Sequence, residues 1–370
     1  MRVIHTGNTF NIYDDTLETC NQLSPGSYIV RFYENKGFCL EGYPEVETRE
    51  GKVYGVHEEK VEKVLCAFEK FTRNLGVILS GDKGIGKSLF SRLLASRAME
   101  KGIPVIIVDT YYHGIASFLE QIEQEVLVLF DEFDKTFGGV EESSGKASPQ
   151  THLLSLFDGV SPGKKLFVIT CNNIYKLNDY IINRPGRFHY HFRFSYPSPE
   201  EIREYMQDNI PRESWGEIDS VISFSRKVLL NYDCLRAIAF EISSGLTFKE
   251  AAGDLNIVNT ESYRYEISLL FRDGTKISAK NVNLDIFSDE EMYICLYDTE
   301  GRNYADVRFH PSDCIYDAEK FANIIAPERI TIEYDEDTES YKDIIDTRKE
   351  VGAAYLTITR EVRDALHYKV

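Results

Sequence analysis

The chain has 370 residues, and its 42 Lys and Arg against 60 Asp and Glu give a formal net charge of −18. That acid excess argues against retention on a phosphate backbone by bulk charge, because such binding runs on Lys and Arg. The length allows two or three domains with buried cores, and no apolar run approaches the roughly 20 residues of a membrane-spanning helix. The seven cysteines form no CxxC pair and no Cys/His cluster at metal-ligand spacing, which reads as reduced thiols that fill cores. With no apolar signal core near Met1, a cytoplasmic protein without membrane association is expected.

Residues 1–52 read as a β-rich N-terminal element, with 28–32 and 38–40 forming a hairpin across Glu34-Asn35-Lys36-Gly37. Val61, Val64, Leu65 and Phe68 then fall at helical spacing on one apolar stripe. From residue 76, short apolar runs alternate with helical stretches, the mark of a parallel sheet. The candidate strands are 76–80, 105–108, 126–130, 166–170 and 190–194. The aperiodic, glycine- and serine-rich stretch 138–150 reads as a mobile loop. Residues 197–255 have a helical pattern and suggest a small helical lid on an α/β core spanning 53–196.

The chain then turns β-rich over 256–370. Residues 265–271 alternate and run into Asp273-Gly274, a strong hairpin-turn signal. Further strand signals lie at 293–297, 330–334 and 355–359, and the acidic run Asp335, Glu336, Asp337 and Glu339 reads as a solvated loop.

Two segments carry chemistry. Gly81-Asp82-Lys83-Gly84-Ile85-Gly86-Lys87-Ser88 fits G-x-x-x-x-G-K-[ST] between an apolar strand and a helix. Its glycines let backbone N–H groups curl around phosphates, Lys87 supplies charge at the β- and γ-phosphates, and Ser88 binds Mg²⁺. The helix that follows presents its positive end to the same anion. Val126 to Phe130 is a buried strand that ends in Asp131 and Glu132. There Asp131 can hold Mg²⁺ through water while Glu132 polarises the attacking water; Asp134 reads as a helix or turn residue. ATP with Mg²⁺ is the implied ligand pair.

With the next segments the chain resembles the AAA branch of AAA+ ATPases. Leu153-Leu154-Ser155-Leu156-Phe157-Asp158-Gly159-Val160 is similar to the family's leucine-rich helix that ends in Asp-Gly. Cys171-Asn172-Asn173 resembles its polar sensor after the fourth strand. The resemblance makes Asn172 the first choice for orienting water and Asn173 the alternative; either could instead cap the next helix. Arg184-Pro185-Gly186-Arg187-Phe188 is similar to the second region of homology. By that resemblance Arg184 and Arg187 are fingers that reach a neighbouring subunit's ATP, which implies a homo-oligomeric ring, typically hexameric. Tyr54-Gly55 resembles the segment that lines the adenine pocket, and Arg236 the sensor-2 arginine of the lid.

The resemblance covers roughly 53–255, and the general character is that of ATPases carried by bacterial viruses or their hosts. It implies three alternatives: remodelling of a protein client, action with nucleic acid as a loader, or a nucleotide-gated scaffold. Thr110-Tyr111-Tyr112-His113-Gly114 sits where threading members of the family offer a gripping aromatic, here Tyr112, although packed aromatics explain the tyrosines equally. Acidity and this loop put the protein client ahead of nucleic acid.

Overall fold

The computed structural model describes residues 1–6, 8–44, 54–55, 57–138, 148–159, 163–257, 264–317, 320, 322–335 and 339–361. Most of the loop read at 138–150, together with Val53, Val56, Val160, Glu336 and Asp337, lies outside the described residues. The chain divides into two compact units, Met1–Pro197 and Ser198–Val370.

The first unit opens with a hairpin, β1 (Arg2–Thr6) and β2 (Thr9–Tyr13). Next come β3 (Ser27–Tyr33) and β4 (Gly37–Gly42), then helix α1 (His57–Lys70), whose stripe Val61, Val64, Leu65 and Phe68 is buried as the spacing predicts. The central strands are β5 (Leu75–Ser80), β6 (Val105–Val108), β7 (Val126–Phe130), β8 (Lys165–Cys171) and β9 (Tyr190–Arg193). Between them run α2 (Lys87–Glu100), α3 (Ile115–Glu120), α4 (Phe133–Thr136), α5 (Pro149–His152), α6 (Leu154–Asp158) and α7 (Asp179–Ile182).

The expected five-stranded sheet is seven-stranded, in the order β4-β3-β6-β7-β8-β5-β9. The two additional strands are the hairpin read as part of a separate N-terminal element. β3 lies parallel to β6, with Tyr28 opposite Ile106, and β4 returns antiparallel at the edge. Ile29 and Val30 are both buried, so β3 contributes side chains to both faces and covers a β6 edge that would otherwise offer unpaired backbone.

Central strands buried on two faces explain the unbroken apolar runs. Leu75, Val77 and Leu79 pack with α1 and α2, whereas Ile78 joins Phe130, Phe133, Phe157 and Phe167 in a second core on the opposite face.

The second unit begins with α8 (Pro199–Asn209), α9 (Ile218–Ser225), α10 (Tyr232–Ser243) and α11 (Phe248–Asp254). Capping boxes at Ser198/Glu201 and Thr247/Glu250 set the starts of α8 and α11. The β-rich part comprises β10 (Arg264–Phe271), β11 (Lys276–Asn283), β12 (Met292–Leu296), β13 (Ala305–Phe309), β14 (Ile315–Asp317), β15 (Ala322–Ile325), β16 (Thr331–Tyr334) and β17 (Ala353–Arg360), with α12 (Lys342–Val351) before β17. One sheet runs β11-β10-β17-β15-β14 and another β12-β13-β16, around a shared core that includes Ile267, Leu269, Phe271, Val307, Phe309 and Leu356. The Asp273-Gly274 turn joins β10 and β11 as expected, with Gly274 at φ +85°.

Helices and sheets of this unit touch directly. Lys227 Nζ donates to the Cys314 carbonyl at 2.7 Å, the Arg226 guanidinium lies 4.9 Å from the Tyr316 ring centre, and Phe224 meets Phe287 at 6.1 Å.

Candidate nucleotide site

The phosphate-loop sequence forms the turn between β5 and α2 that its glycines require. Gly86 caps α2 with φ +100°, a conformation that strains any residue with a Cβ, and a Cβ there would also press on His57 Nε2 at 2.9 Å. No side chain caps α2 and its first turn carries no acid, which leaves the positive helix end open to an anion.

Lys87 begins the helix and is 8 % exposed. Its ammonium donates to the carbonyls of Gly81 and Asp82 and, at 2.9 Å, to Oδ1 of Asn172. Burial lowers its pKa, while the thiol of Cys171 and the carboxylates of Asp82, Asp134 and Asp131 act in the opposite sense. Those three carboxylates therefore lie within the electrostatic reach of one ammonium. Asp82, Lys83 and Ser88 are exposed along the loop, and Ile85 is buried beneath it.

Asp131 and Glu132 follow β7 and are both exposed. The Thr170 hydroxyl ties them to β8: it donates to Asp131 Oδ1 at 2.7 Å and accepts the Glu132 backbone N–H at 2.8 Å. Glu132 sits in the left-handed region, φ 46° and ψ 46°, a strained position for a non-glycine residue and one that recurs at functional sites. Its carboxylate pairs with Lys135, and that contact, with the charge of Lys83, holds its pKa below the usual carboxylate range.

The two sensor candidates separate. Asn173 Oδ1 accepts the Tyr175 N–H at 2.9 Å and caps the short turn that follows, whereas Asn172 faces Lys87. Asn172 Nδ2 is buried and meets no acceptor in good hydrogen-bond geometry among the described residues, while the Asn172 side chain is near enough to Glu132 to help hold that carboxylate's pKa down. Asp134, read from sequence as a helix or turn residue, is 3 % exposed. Its carboxylate accepts the N–H groups of Asn172 at 3.2 Å and Asn173 at 3.0 Å. Its spacing three residues beyond Asp131, at the first turn of a helix that leaves a strand, was the available signal.

These groups stand at the C-terminal ends of adjacent strands, β7, β8 and β5, where open α/β sheets place their ligands. Residues 77–196 match the model of the ATPase family associated with various cellular activities (AAA). Residues 77–196 are an AAA ATPase domain.

Relatives agree with that assignment. The chain is 28% identical over 143 residues to a cell division cycle protein 48 homolog of Archaeoglobus fulgidus, covering 36% of this chain and 20% of that protein. It is 29% identical over 168 residues to Tat-binding homolog 7 of Caenorhabditis elegans, covering 40% and 13% respectively. A match of 29% over 175 residues to the ATP-dependent zinc metalloprotease FtsH of Aster yellows witches'-broom phytoplasma covers 40% of this chain and 25% of the relative. The chain thus spans a quarter or less of the length of these relatives.

The two arginines of the AAA domain's Arg-Pro-Gly-Arg segment occupy different environments. Arg184 is exposed, its guanidinium 5.8 Å from the Tyr180 ring centre. Arg187 is buried, and its guanidinium holds the Asp158 carboxylate. Asp158 is the acid of the Asp-Gly that ends α6, and no partner was assigned to it from sequence.

Tyr54 is half-buried and Gly55 adopts φ +82° just before α1. Arg236 lies on the exposed side of α10 in the second unit, 3.6 Å from Asp233. Tyr112 is half-buried, with ring centres 6.0 Å from Phe32 and 6.2 Å from Phe38. That is the packed alternative of the sequence reading, made possible by the two extra strands. Among the described residues no helix is long and apolar enough to cross a membrane.

Proposed function

We propose that the chain hydrolyses ATP with Mg²⁺ in a homo-oligomeric ring, typically a hexamer, and uses the cycle to remodel or translocate a protein partner. The observation that carries the reading is the bond from Lys87 to Asn172, which joins the phosphate loop to the strand end beside Asp131 and Glu132. The backbone from Gly81 to Gly86, with Lys87 and Ser88, would cradle the triphosphate, and Tyr54 and Gly55 would line the base. Ser88 and Asp131, both exposed oxygen donors, suit Mg²⁺, which takes few protein oxygens and keeps waters. Bound there, the metal would neutralise phosphate charge. Glu132 serves as base, Asn172 orients the attacking water, and Arg184 meets charge on a neighbour's phosphoryl group, an effect worth on the order of 10³ to 10⁵ in rate. The β-rich part would bind the partner.

Mixing Arg184→Ala subunits with Lys87→Ala subunits tests the assembly, because each supplies what the other lacks. Partial recovery of turnover supports trans action; confirmed mixed rings that stay inactive count against it.

A second reading, a nucleotide-gated scaffold, draws support from the packing of Tyr112 against Phe32 and Phe38, which occupies the aromatic a threading loop would use. Slow turnover with nucleotide-dependent assembly would favour it. Strong, salt-sensitive stimulation by DNA would instead favour a loader that works with nucleic acid.

A further inference from the structure

The environment of Arg187 does not suit a group that leaves its subunit. Nε and Nη2 hold the two carboxylate oxygens of Asp158, the latter at 2.6 Å, and Nη1 donates to the Tyr180 carbonyl at 2.8 Å. The residue is 6 % exposed, and the pair lowers the pKa of Asp158. Drawing Arg187 out would break its two bonds to Asp158, whose carboxylate is itself partly open to water, and the bond to the Tyr180 carbonyl in one movement.

Everything around the pair holds the segment that carries Arg184. The Arg184 carbonyl accepts the N–H groups of Arg187 at 2.8 Å and Phe188 at 3.1 Å, which closes a tight turn. Phe188 packs edge-on against Phe157, ring centres 5.0 Å apart, one residue before Asp158. Gly76 of β5 lies against the Arg187 carbonyl and Phe188, where a Cβ would collide, and its own carbonyl accepts the His189 N–H at 2.9 Å. Tyr180, whose carbonyl Arg187 grips, offers its exposed ring to the Arg184 guanidinium.

We propose that the two arginines divide the work: Arg184 is the group that crosses to the neighbouring nucleotide, and Arg187 is a positioning residue that acts through Asp158 and Tyr180. This rests on the ATPase reading above. It removes Arg187 from the pair of fingers that the sequence resemblance implies and gives Asp158 a role in turnover without contact to nucleotide.

The test is steady-state ATPase of the full chain with Asp158→Asn, Arg187→Ala and the charge reversal Asp158→Arg/Arg187→Asp. Asp158→Asn should lower kcat at least tenfold, and Arg187→Ala should do the same, each with nucleotide Kd within threefold of wild type. The reversal should recover at least a third of wild-type kcat, which a finger moved to position 158 could not do. Wild-type kcat in Asp158→Asn, beside an inactive Arg187→Ala, would overturn the proposal and restore Arg187 as a finger. If the reversal does not fold by circular dichroism, the comparison of the two single variants decides. Absence of ATPase in the wild-type chain would sink the parent reading itself, a failure distinct from any of these.

Discussion

The carboxylate of Asp134 receives the backbone N–H groups of Asn172 and its neighbour Asn173, joining the helix after β7 to the end of β8. Removing it in Asp134→Ala leaves two part-buried donors without their acceptor, at a cost of up to about 1–3 kcal/mol each where water cannot replace the carboxylate. The Asn172 side chain also loses its seat beside Lys87. The expected result is a lower melting temperature and a kcat at least tenfold below wild type, with nucleotide Kd within threefold because the phosphate loop is untouched. Turnover, a fluorescent-nucleotide titration and a thermal melt measure all three; wild-type kcat would show that Asn172 does not depend on this brace.

Lys87→Ala and Glu132→Gln should separate binding from chemistry. Loss of the ammonium removes the charge that the triphosphate meets, so ATP affinity should fall by two orders of magnitude or more. Glu132→Gln keeps the shape of the side chain but not its basicity, so ATP stays bound while hydrolysis stalls. Isothermal titration with ATP and phosphate-release assays distinguish the two, and normal turnover in the glutamine variant would reject Glu132 as the base.

The central sheet was legible because its strands announce themselves: 105–108 and 126–130 coincide with β6 and β7 to the residue. Long apolar runs with burial on both faces leave little ambiguity. The phosphate loop and the acid pair were legible for a similar reason, since backbone geometry there depends on glycines at fixed spacing. What escaped was set by tertiary contact. β3 looks like half of a free hairpin until β6 is placed beside it, because a hairpin signal carries no information about a third strand. β14, three residues long, has too few positions to display a period, and α12 buries Ile345 while presenting mostly charged side chains. Asp158 and Arg187 are 29 residues apart, and nothing local in either segment reveals that they meet.

That pair also predicts a dependence on pH. Arg187 holds the folded-state pKa of Asp158 below its unfolded value of about 3.9. The stabilisation is therefore complete above about pH 4 and is lost as pH falls through the folded value, because the unfolded chain then binds the extra proton first. Asp158→Asn should lower the melting temperature by a constant amount between pH 5 and 8, and the gap to wild type should narrow below about pH 4. A gap that widens on acidification would mean the carboxylate is not held by a cation in the folded chain.

Tyr112 tests whether the loop after β6 is a wall or a grip. Its ring packs on Phe32 and Phe38, and Phe38 in turn stacks on Phe118 at 5.0 Å, so the tyrosine closes an aromatic cluster that joins β3 and β4 to the core. A fully buried aromatic costs about 3–5 kcal/mol on truncation to alanine, and a half-buried ring should cost roughly half of that. For a unit of this size that corresponds to a fall of about 3–10 °C in Tm. Tyr112→Phe should melt within about 1 °C of wild type, since the cluster uses the ring and not the hydroxyl. Basal ATPase should remain within twofold in both variants, because neither touches Lys87 or Glu132. A grip predicts the opposite pattern: Tyr112→Ala would leave Tm unchanged and abolish only the extra turnover that a bound protein client elicits. Melting curves and client-stimulated ATPase, measured on the same preparations, separate packing of the sheet extension from a direct hold on the client.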